Sequence, residues 1–267
     1  MSDMKWLSIH FYPSETHDVF LARAVKPFLE QYIWPEKSTR AFFIRYQDEK
    51  GPHIRLRMRG EVEWLDDMLL PAFEGWMRDR GTWELVTYQP EPSRFGGEEP
   101  LAWAEEHFHV STRVVLDRIA KDQFTYGDAM FDALRLLTAM SAAAGFSREK
   151  ARWYFGALFN MWLPSFFGVE EPADKEAIQA SFQQNLAAQQ HMITQVLDRF
   201  WNDIEKGKFD AKQPEWLRWY KGNELIMKGL GDKLEIALPS LIHLTNNRIG
   251  INNQDEVYLN YILSTTL

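Results

Sequence analysis

Residues 51–60 read Gly51-Pro-His-Ile-Arg-Leu-Arg-Met-Arg-Gly60, a strict alternation of basic and apolar side chains. Side chains alternate between the two faces of a strand. As a strand, the segment therefore puts His53, Arg55, Arg57 and Arg59 on one face and Ile54, Leu56 and Met58 on the other. The apolar face can enter a core. The other face stacks positive charge at two-residue spacing in a chain whose formal net charge is −8. Like charges that close repel, so a folded protein keeps them only where solvent screens them or an anion sits. Arginine suits the second case, because its planar fork makes two parallel bonds to a carboxylate or phosphate. A solvated sheet face and an anion clamp both fit this segment taken alone. Arg45, on the preceding strand, joins the basic face if the register allows.

The surrounding pattern predicts an α+β fold. Lys5 to Tyr12 reads as a strand with Leu7, Ile9 and Phe11 on one side and Trp6, Ser8, His10 and Tyr12 on the other. Thr16 to Ile33 reads as an amphipathic helix. Ala41 to Gln47 and His53 to Arg59 form a hairpin across the turn Asp48–Pro52, whose five residues leave the register open. Glu61 to Arg80 reads as a helix ended by Gly81, and Thr82 to Tyr88 as a further strand. From Pro100 onward the periodicity is helical: Leu101 to Lys121, Tyr126 to Ala144, Ser147 to Trp162 with Ser147 as N-cap, Asp174 to Lys206, Pro214 to Lys233 and Asp255 to Ser264. Gly168 to Pro172 and Gly207 to Pro214 read as loops. The expectation is one domain over residues 1–267, a small, mostly antiparallel sheet from the N-terminal third packed with a larger helical bundle.

Length and composition narrow the function. A chain of 267 residues can bury a sizeable core. Its 18 Phe, 11 Trp and 9 Tyr supply core area and the walls of a ligand cleft. The acidic balance opposes bulk nucleic-acid binding. Without cysteine there are no disulfides, thiolate metal sites or Cys nucleophile. The start Met1-Ser-Asp-Met-Lys-Trp is not a secretory signal, and apolar runs such as Trp153 to Val169 are broken by Asn160, Pro164 and Ser165, so no transmembrane helix is expected. The expected location is cytoplasmic, with no membrane partner.

Two further segments carry polar chemistry. Pro90-Glu-Pro-Ser-Arg-Phe-Gly-Gly97 leaves the sheet with Glu91 and Arg94 and precedes a helix. Gly96 and Gly97 there could turn backbone N–H groups towards an anion, although Glu98 and Glu99 already suit the positive helix end. Ile242-His-Leu-Thr-Asn-Asn-Arg248 reads as a connection between two helices, with His243 among groups able to orient an imidazole. Histidine is the side chain whose ordinary pKa suits proton transfer near neutrality. His107 and His109, two apart on a helix, point to different sides and cannot chelate one metal together. No His-Glu-x-x-His, P-loop, Gly-x-Ser-x-Gly or Rossmann fingerprint is present.

In this order and spacing the segments resemble the C-terminal glutamate-elimination domain of class I lanthipeptide dehydratases, which also occurs as a separate protein in thiopeptide and split lanthipeptide pathways. The resemblance runs from Trp6 to the final helix. It rests on Phe42-Phe-Ile-Arg-Tyr46, the His53 to Arg57 strand, the Pro90 to Gly97 loop, the Ile242 to Arg248 stretch and Asp255-Glu256. Phe108-His-Val-Ser-Thr112 stands where the resembled pattern has Phe-x-x-Asp-Ser, Phe95 where Tyr is common and Leu244 where Met is common.

The resemblance implies a reaction and its residues. A separate glutamyl-tRNA-dependent protein esterifies Ser or Thr of a precursor peptide with glutamate. The elimination domain removes the α-proton and expels glutamate, leaving dehydroalanine or dehydrobutyrine. The residues tied to elimination fall on Arg55, Arg57, Glu91, Arg94 and His243. The chemistry agrees: charge develops on the leaving carboxylate and the enolate, which preorganised Arg donors stabilise by several kcal/mol, on the order usual for such sites. His243 would move a proton, and Glu91 would hold an Arg or the ammonium of the bound glutamate. No cofactor, metal or nucleotide is called for, and no direct nucleic-acid contact. The rivals are a thiopeptide pyridine synthase of the same fold, a non-catalytic peptide-binding subunit of a split dehydratase, and a tRNA-binding or aminoacyl-ligating protein.

Overall fold

The computed structural model describes residues 3–267. Four strands, β1 (Met4–Pro13), β2 (Arg40–Asp48), β3 (Gly51–Glu61) and β4 (Gly81–Leu85), form one sheet in the order β2-β3-β1-β4. Each hydrogen-bonded neighbour pair is antiparallel. Helix α1 (residues 17–32) links β1 to β2, and α2 (residues 62–76) links β3 to β4. The two βαβ crossovers interleave, the split βαβ arrangement of ferredoxin-like sheets. The expected sheet is therefore present, and so is the α+β class.

The apolar face of the sheet packs on these two helices. Phe11 stacks on Phe20 at 4.4 Å and meets Phe73 at 6.2 Å, and Phe73 meets Trp83 at 5.7 Å. Phe11, Phe20 and Phe73 are fully buried, and each such ring contributes roughly 1.5–3 kcal/mol. Both helices widen to π geometry just before a proline pair, at Leu21–Val25 before Lys26-Pro27 and at Leu65–Leu69 before Leu70-Pro71. Proline removes one N–H and crowds the preceding turn, and a wider turn absorbs both effects. The second helix stops at Trp76, short of Arg80, and β4 stops at Leu85, short of Tyr88. Gly81 is required at the start of β4: a Cβ there would lie 2.1 Å from the Tyr12 carbonyl oxygen.

The hairpin is tighter than its sequence suggests. Asp48 pairs with Gly51, so only Glu49 and Lys50 lie outside the ladder. In this register Arg45 lies opposite Ile54, on the apolar face. The expectation that it joins the basic face is corrected. Instead Arg45 Nη2 donates to Asp18 Oδ1 at 2.6 Å and Nε to the Arg248 carbonyl at 2.9 Å.

The remaining helices are α3 (Glu98–Ile119), α4 (Tyr126–Ala143), α5 (Arg148–Phe167), α6 (Pro172–Ala187), α7 (Gln190–Glu205), α8 (Pro214–Leu230), α9 (Leu234–Ile249) and α10 (Asn253–Thr266). Ser147 caps α5 by accepting the Lys150 N–H at 3.1 Å. The expected single helix over residues 174–206 is two, broken at Ala188 and Gln189 without a glycine or proline to mark it. The His243 segment is not a connection either, because it lies inside α9. The segment carries Thr245, Asn246, Asn247 and Arg248, all polar. Yet Thr245 donates back to the Leu241 carbonyl at 2.8 Å and meets His107 Nε2 of α3 at 3.0 Å, so its polarity is satisfied within helical packing.

The chain divides into two compact units, one from the N-terminus to Phe124 with Asp232–Ile249, the other Thr125–Gly231 with Gly250–Leu267. The second is all helical. Phe159 and Phe182 meet Tyr261 and Tyr258, and the buried Trp219 donates to the Leu136 carbonyl at 2.8 Å. Among the described residues no helix is long and apolar enough to cross a membrane.

In the first unit the outer edge of β2 is closed by side chains rather than by a fifth strand. His109 Nδ1 accepts the Ala41 N–H at 3.1 Å, Thr112 Oγ1 that of Phe43 at 3.3 Å, and Asn247 Oδ1 that of Arg45 at 3.0 Å. Asn247 Nδ2 also donates to the Arg45 carbonyl at 2.9 Å. An open edge would otherwise present every second N–H and C=O to any passing strand.

Candidate active site

The basic face of β3 is divided into three environments by what lies across the register. At its far end Arg59 stands opposite Arg40 and Trp6. There α3 supplies acids: Arg40 Nε donates to Glu106 Oε1 at 2.6 Å, and Glu105 feels the Arg59 charge. This end is neutralised and exposed, the solvated face that the alternation allowed.

The middle is different. Arg57 lies between Phe42 and Ser8, with its Cζ 4.5 Å from the Tyr88 ring centre and 5.3 Å from that of Phe42. A second guanidinium arrives from α9. Arg248 is fully buried, its Cζ 4.7 Å from the Phe108 ring and 5.9 Å from Phe42. Arg248 Nη1 donates to the Leu244 carbonyl at 3.0 Å. Its Nε and Nη2, and Arg57 Nε, are buried without a hydrogen-bond partner. Among the described residues no carboxylate forms an ion pair with either. Burial, then the neighbouring Arg57 charge, lowers the Arg248 pKa to about 9. Burial also lowers that of Arg57, with Arg55 adding to it and Tyr88, Glu105 and Glu91 opposing. Tyr88 donates to Glu105 Oε1 at 3.0 Å, and its hydroxyl is held above the ordinary phenol value by burial and that carboxylate. The hydroxyls of Ser8 and Ser111 are likewise buried and unpartnered. Ser111 occupies the position where the resembled pattern has an acid, so no counter-charge comes from there.

Guanidinium donors held out of water without a carboxylate partner are costly. The arrangement is complementary to a carboxylate. A bound carboxylate would accept the free N–H groups, and in a site closed to water such donors act strongly on developing charge.

The third environment surrounds Arg55, which lies opposite His10 and Ile44. Its Cζ sits 3.3 Å over the Tyr46 ring, and its Nε donates to His53 Nε2 at 3.3 Å. His53 is buried between Tyr12, Tyr46 and His10, with its Nδ1 3.2 Å from the Gly51 carbonyl. Among the described residues His10, Asp48 and His53 are the group whose donor atoms lie close enough, within 4.8 Å, to hold a metal ion. The Arg55 cation bonded to His53 opposes a cation there.

The loop after β4 is anchored by Phe95, buried 5.7 Å from the Phe108 ring. Glu91 and Arg94 pair at 2.8 Å on the exposed side, and Glu91 is close enough for Arg57 to feel its charge. The Gly96 and Gly97 N–H groups are bonded to the Ser93 and Pro92 carbonyls, so they form no anion nest. The structure thus groups Arg55, Arg57, Glu91 and Arg94 by charge and neighbourhood. His243 is half-buried on α9. It lies about 140° around the helix and roughly 7.5 Å along it from Arg248, so one helix face does not deliver both.

Sequence reasoning assigned no anion-binding role to Arg248 and left out Tyr88 and His10. Arg248 stood in the His243 segment but only as a group orienting the imidazole. Its burial is set by α3 and β2 together, for which no local pattern exists. His10 carried a signal: its alternation with Trp6, Ser8 and Tyr12 put it on the polar face of β1.

Comparisons with known proteins agree with this layout. The profile of the family described as "Lantibiotic biosynthesis dehydratase C-term" matches residues 6–267. Subtilin biosynthesis protein SpaB of Bacillus subtilis is 34% identical over 117 residues, 41% of this chain and 11% of SpaB. The tRNA-dependent lantibiotic dehydratase MibB of Microbispora sp. 107891 superposes with a TM-score of 0.62 at 22% identity, over 98% of this chain and 27% of MibB. TbtD, a pyridine synthase from thiomuracin biosynthesis, superposes with a TM-score of 0.73 at 16% identity, over 98% of this chain and 96% of TbtD. At these identities the two structural likenesses speak for the fold, and the chain spans a small part of SpaB and MibB. With its profile matched from Trp6 to the last residue, the chain belongs to the lantibiotic biosynthesis dehydratase C-terminal family.

Proposed function

We propose that this chain eliminates glutamate from glutamylated Ser or Thr of a ribosomal precursor peptide, leaving dehydroalanine or dehydrobutyrine. A separate glutamyl-tRNA-dependent protein would attach the glutamate beforehand, so this chain would need neither tRNA nor ATP. One observation carries the reading: the buried Arg248 and the half-buried Arg57, close enough for the charge of one to lower the pKa of the other, both hold unused buried donors with no carboxylate paired to them among the described residues. A glutamyl ester supplies the missing charge. Its side-chain carboxylate is ionised throughout, and its ester oxygens become a carboxylate as the Cβ–O bond breaks. Donors aimed at that developing charge stabilise the transition state more than the ground state.

In this reading Arg57 and Arg248 receive the carboxylates and Arg55 extends the field along β3. Arg94, freed from Glu91, would close over the bound glutamate, and Glu91 would meet its ammonium. His243 would exchange a proton with the reacting groups. The test is a purified chain and a peptide carrying a pre-formed glutamyl ester on Ser, without tRNA or ATP. Mass spectrometry should show loss of glutamate and the mass of the alkene. Recovery of intact ester, or of Ser by hydrolysis, would refute the proposal.

A second reading is a pyridine synthase, favoured by the superposition on TbtD with a TM-score of 0.73. It predicts cyclisation of a peptide with two dehydroalanines and an untouched glutamyl ester.

A further inference from the structure

One imidazole on the guanidinium face is unused. His10 of β1 stands directly across the register from Arg55, and its ring lies 4.8 Å from that of His53. Among the described residues no hydrogen bond engages either of its ring nitrogens, and neither is sealed from solvent among the buried unpartnered atoms. The neighbouring His53 is not available in this way. It is buried, its Nε2 accepts from Arg55 and its Nδ1 faces the Gly51 carbonyl. Tyr88 is not available either, because its hydroxyl donates to Glu105.

Resting on the elimination reading above, we propose that His10 is the base that takes the α-proton of the glutamylated residue. A ring nitrogen of neutral His10 forms the new N–H bond as the Cα–H bond breaks. The C–H electron pair becomes the Cα=Cβ bond. The Cβ–O bond breaks, and its pair leaves on the carboxylate of the departing glutamate. The products are the alkene, glutamate and an imidazolium, which passes its proton to water.

The groups facing His10 fit that task. Arg55, His53 and Arg57 of β3 and Glu84 of β4 surround it, with Asp48 of the hairpin near its ring. Burial first, then Arg55, His53 and Arg57, hold its pKa down to about 4 against Glu84. It is therefore neutral near neutrality, with its lone pair available. A substrate carboxylate on the arginines cancels part of the field that opposes protonation, so the imidazole becomes a stronger base once substrate is bound.

The experiment uses the full chain and the glutamyl-ester peptide, with initial rates of alkene formation. His10→Ala should lower the rate about 100-fold or more, the scale of a lost general base, with KM changed only a few-fold. Added imidazole should restore rate in proportion to its concentration. His10→Gln, which keeps a polar side chain of similar reach, should be equally slow and guards against a folding defect in the first variant. If the unaltered chain eliminates and both variants stay within threefold of it, His10 is not the base. A loss that imidazole leaves untouched would make His10 a structural residue and overturn the proposal. No elimination by the unaltered chain would remove the function and this inference together.

Discussion

Arg248 is fully buried with Nε and Nη2 unbonded, so the folded protein holds this charge at a cost. Replacing a buried charge by an apolar side chain of similar volume is often neutral or stabilising by about 1–4 kcal/mol. Arg248→Met should therefore raise the urea midpoint while lowering elimination at least tenfold. A variant both less stable and fully active would contradict the role given to this residue. The sign with pH follows from the pKa of about 9, which lies well below the ordinary arginine value. Between these values the unfolded chain binds more protons than the folded one, so the cost of the buried charge is fully present below about pH 9 and shrinks as pH rises. The stability gap between Arg248→Met and the unaltered chain should narrow on going from pH 8 to pH 10.

Among the elements, β2 depends most on its neighbours, because its outer N–H groups end on His109, Thr112 and Asn247. Each side chain serves a different amide, so His109→Ala, Thr112→Val and Asn247→Ala should each cost about 1–2 kcal/mol. Hydrogen exchange should quicken at Ala41, Phe43 and Arg45 respectively, one amide per variant. Burial, and then Arg40, hold His109 to about 4. The folded value lies below the ordinary 6.5, so stability from neutral His109 is present above 6.5 and is lost as pH falls towards 4. The Ala41 amide should lose protection in that window, and the His109→Ala variant should show no such pH step. Much of this layout is written locally. The alternation of β1 and β3, the amphipathic helices between them and the Ser147 cap are all legible from spacing alone. The two-residue hairpin loop was not, and Arg45 shows why: a one-residue change of register moves a side chain to the other face. The helical state of residues 242–248 was hidden because Thr245 and Asn247 find partners on α3 and β2, far away in sequence.

At the scale of the molecule, the basic face of β3 in a chain of net charge −8 pointed to a local anion site. The alternation located Arg55 and Arg57 there. It could not supply Arg248, which the fold brings to Arg57 from the end of α9. The chain spans 27% of MibB and 11% of SpaB, and the proposed elimination draws on this local anion site alone. The most direct measurement is single-turnover elimination from a pre-formed glutamyl-Ser peptide by the unaltered chain and by Arg57→Gln. Dehydroalanine and free glutamate should appear in equal amounts with the unaltered chain, and at least 100-fold more slowly with the variant. Equal rates for the two proteins would contradict the assignment of the departing carboxylate to Arg57 and Arg248.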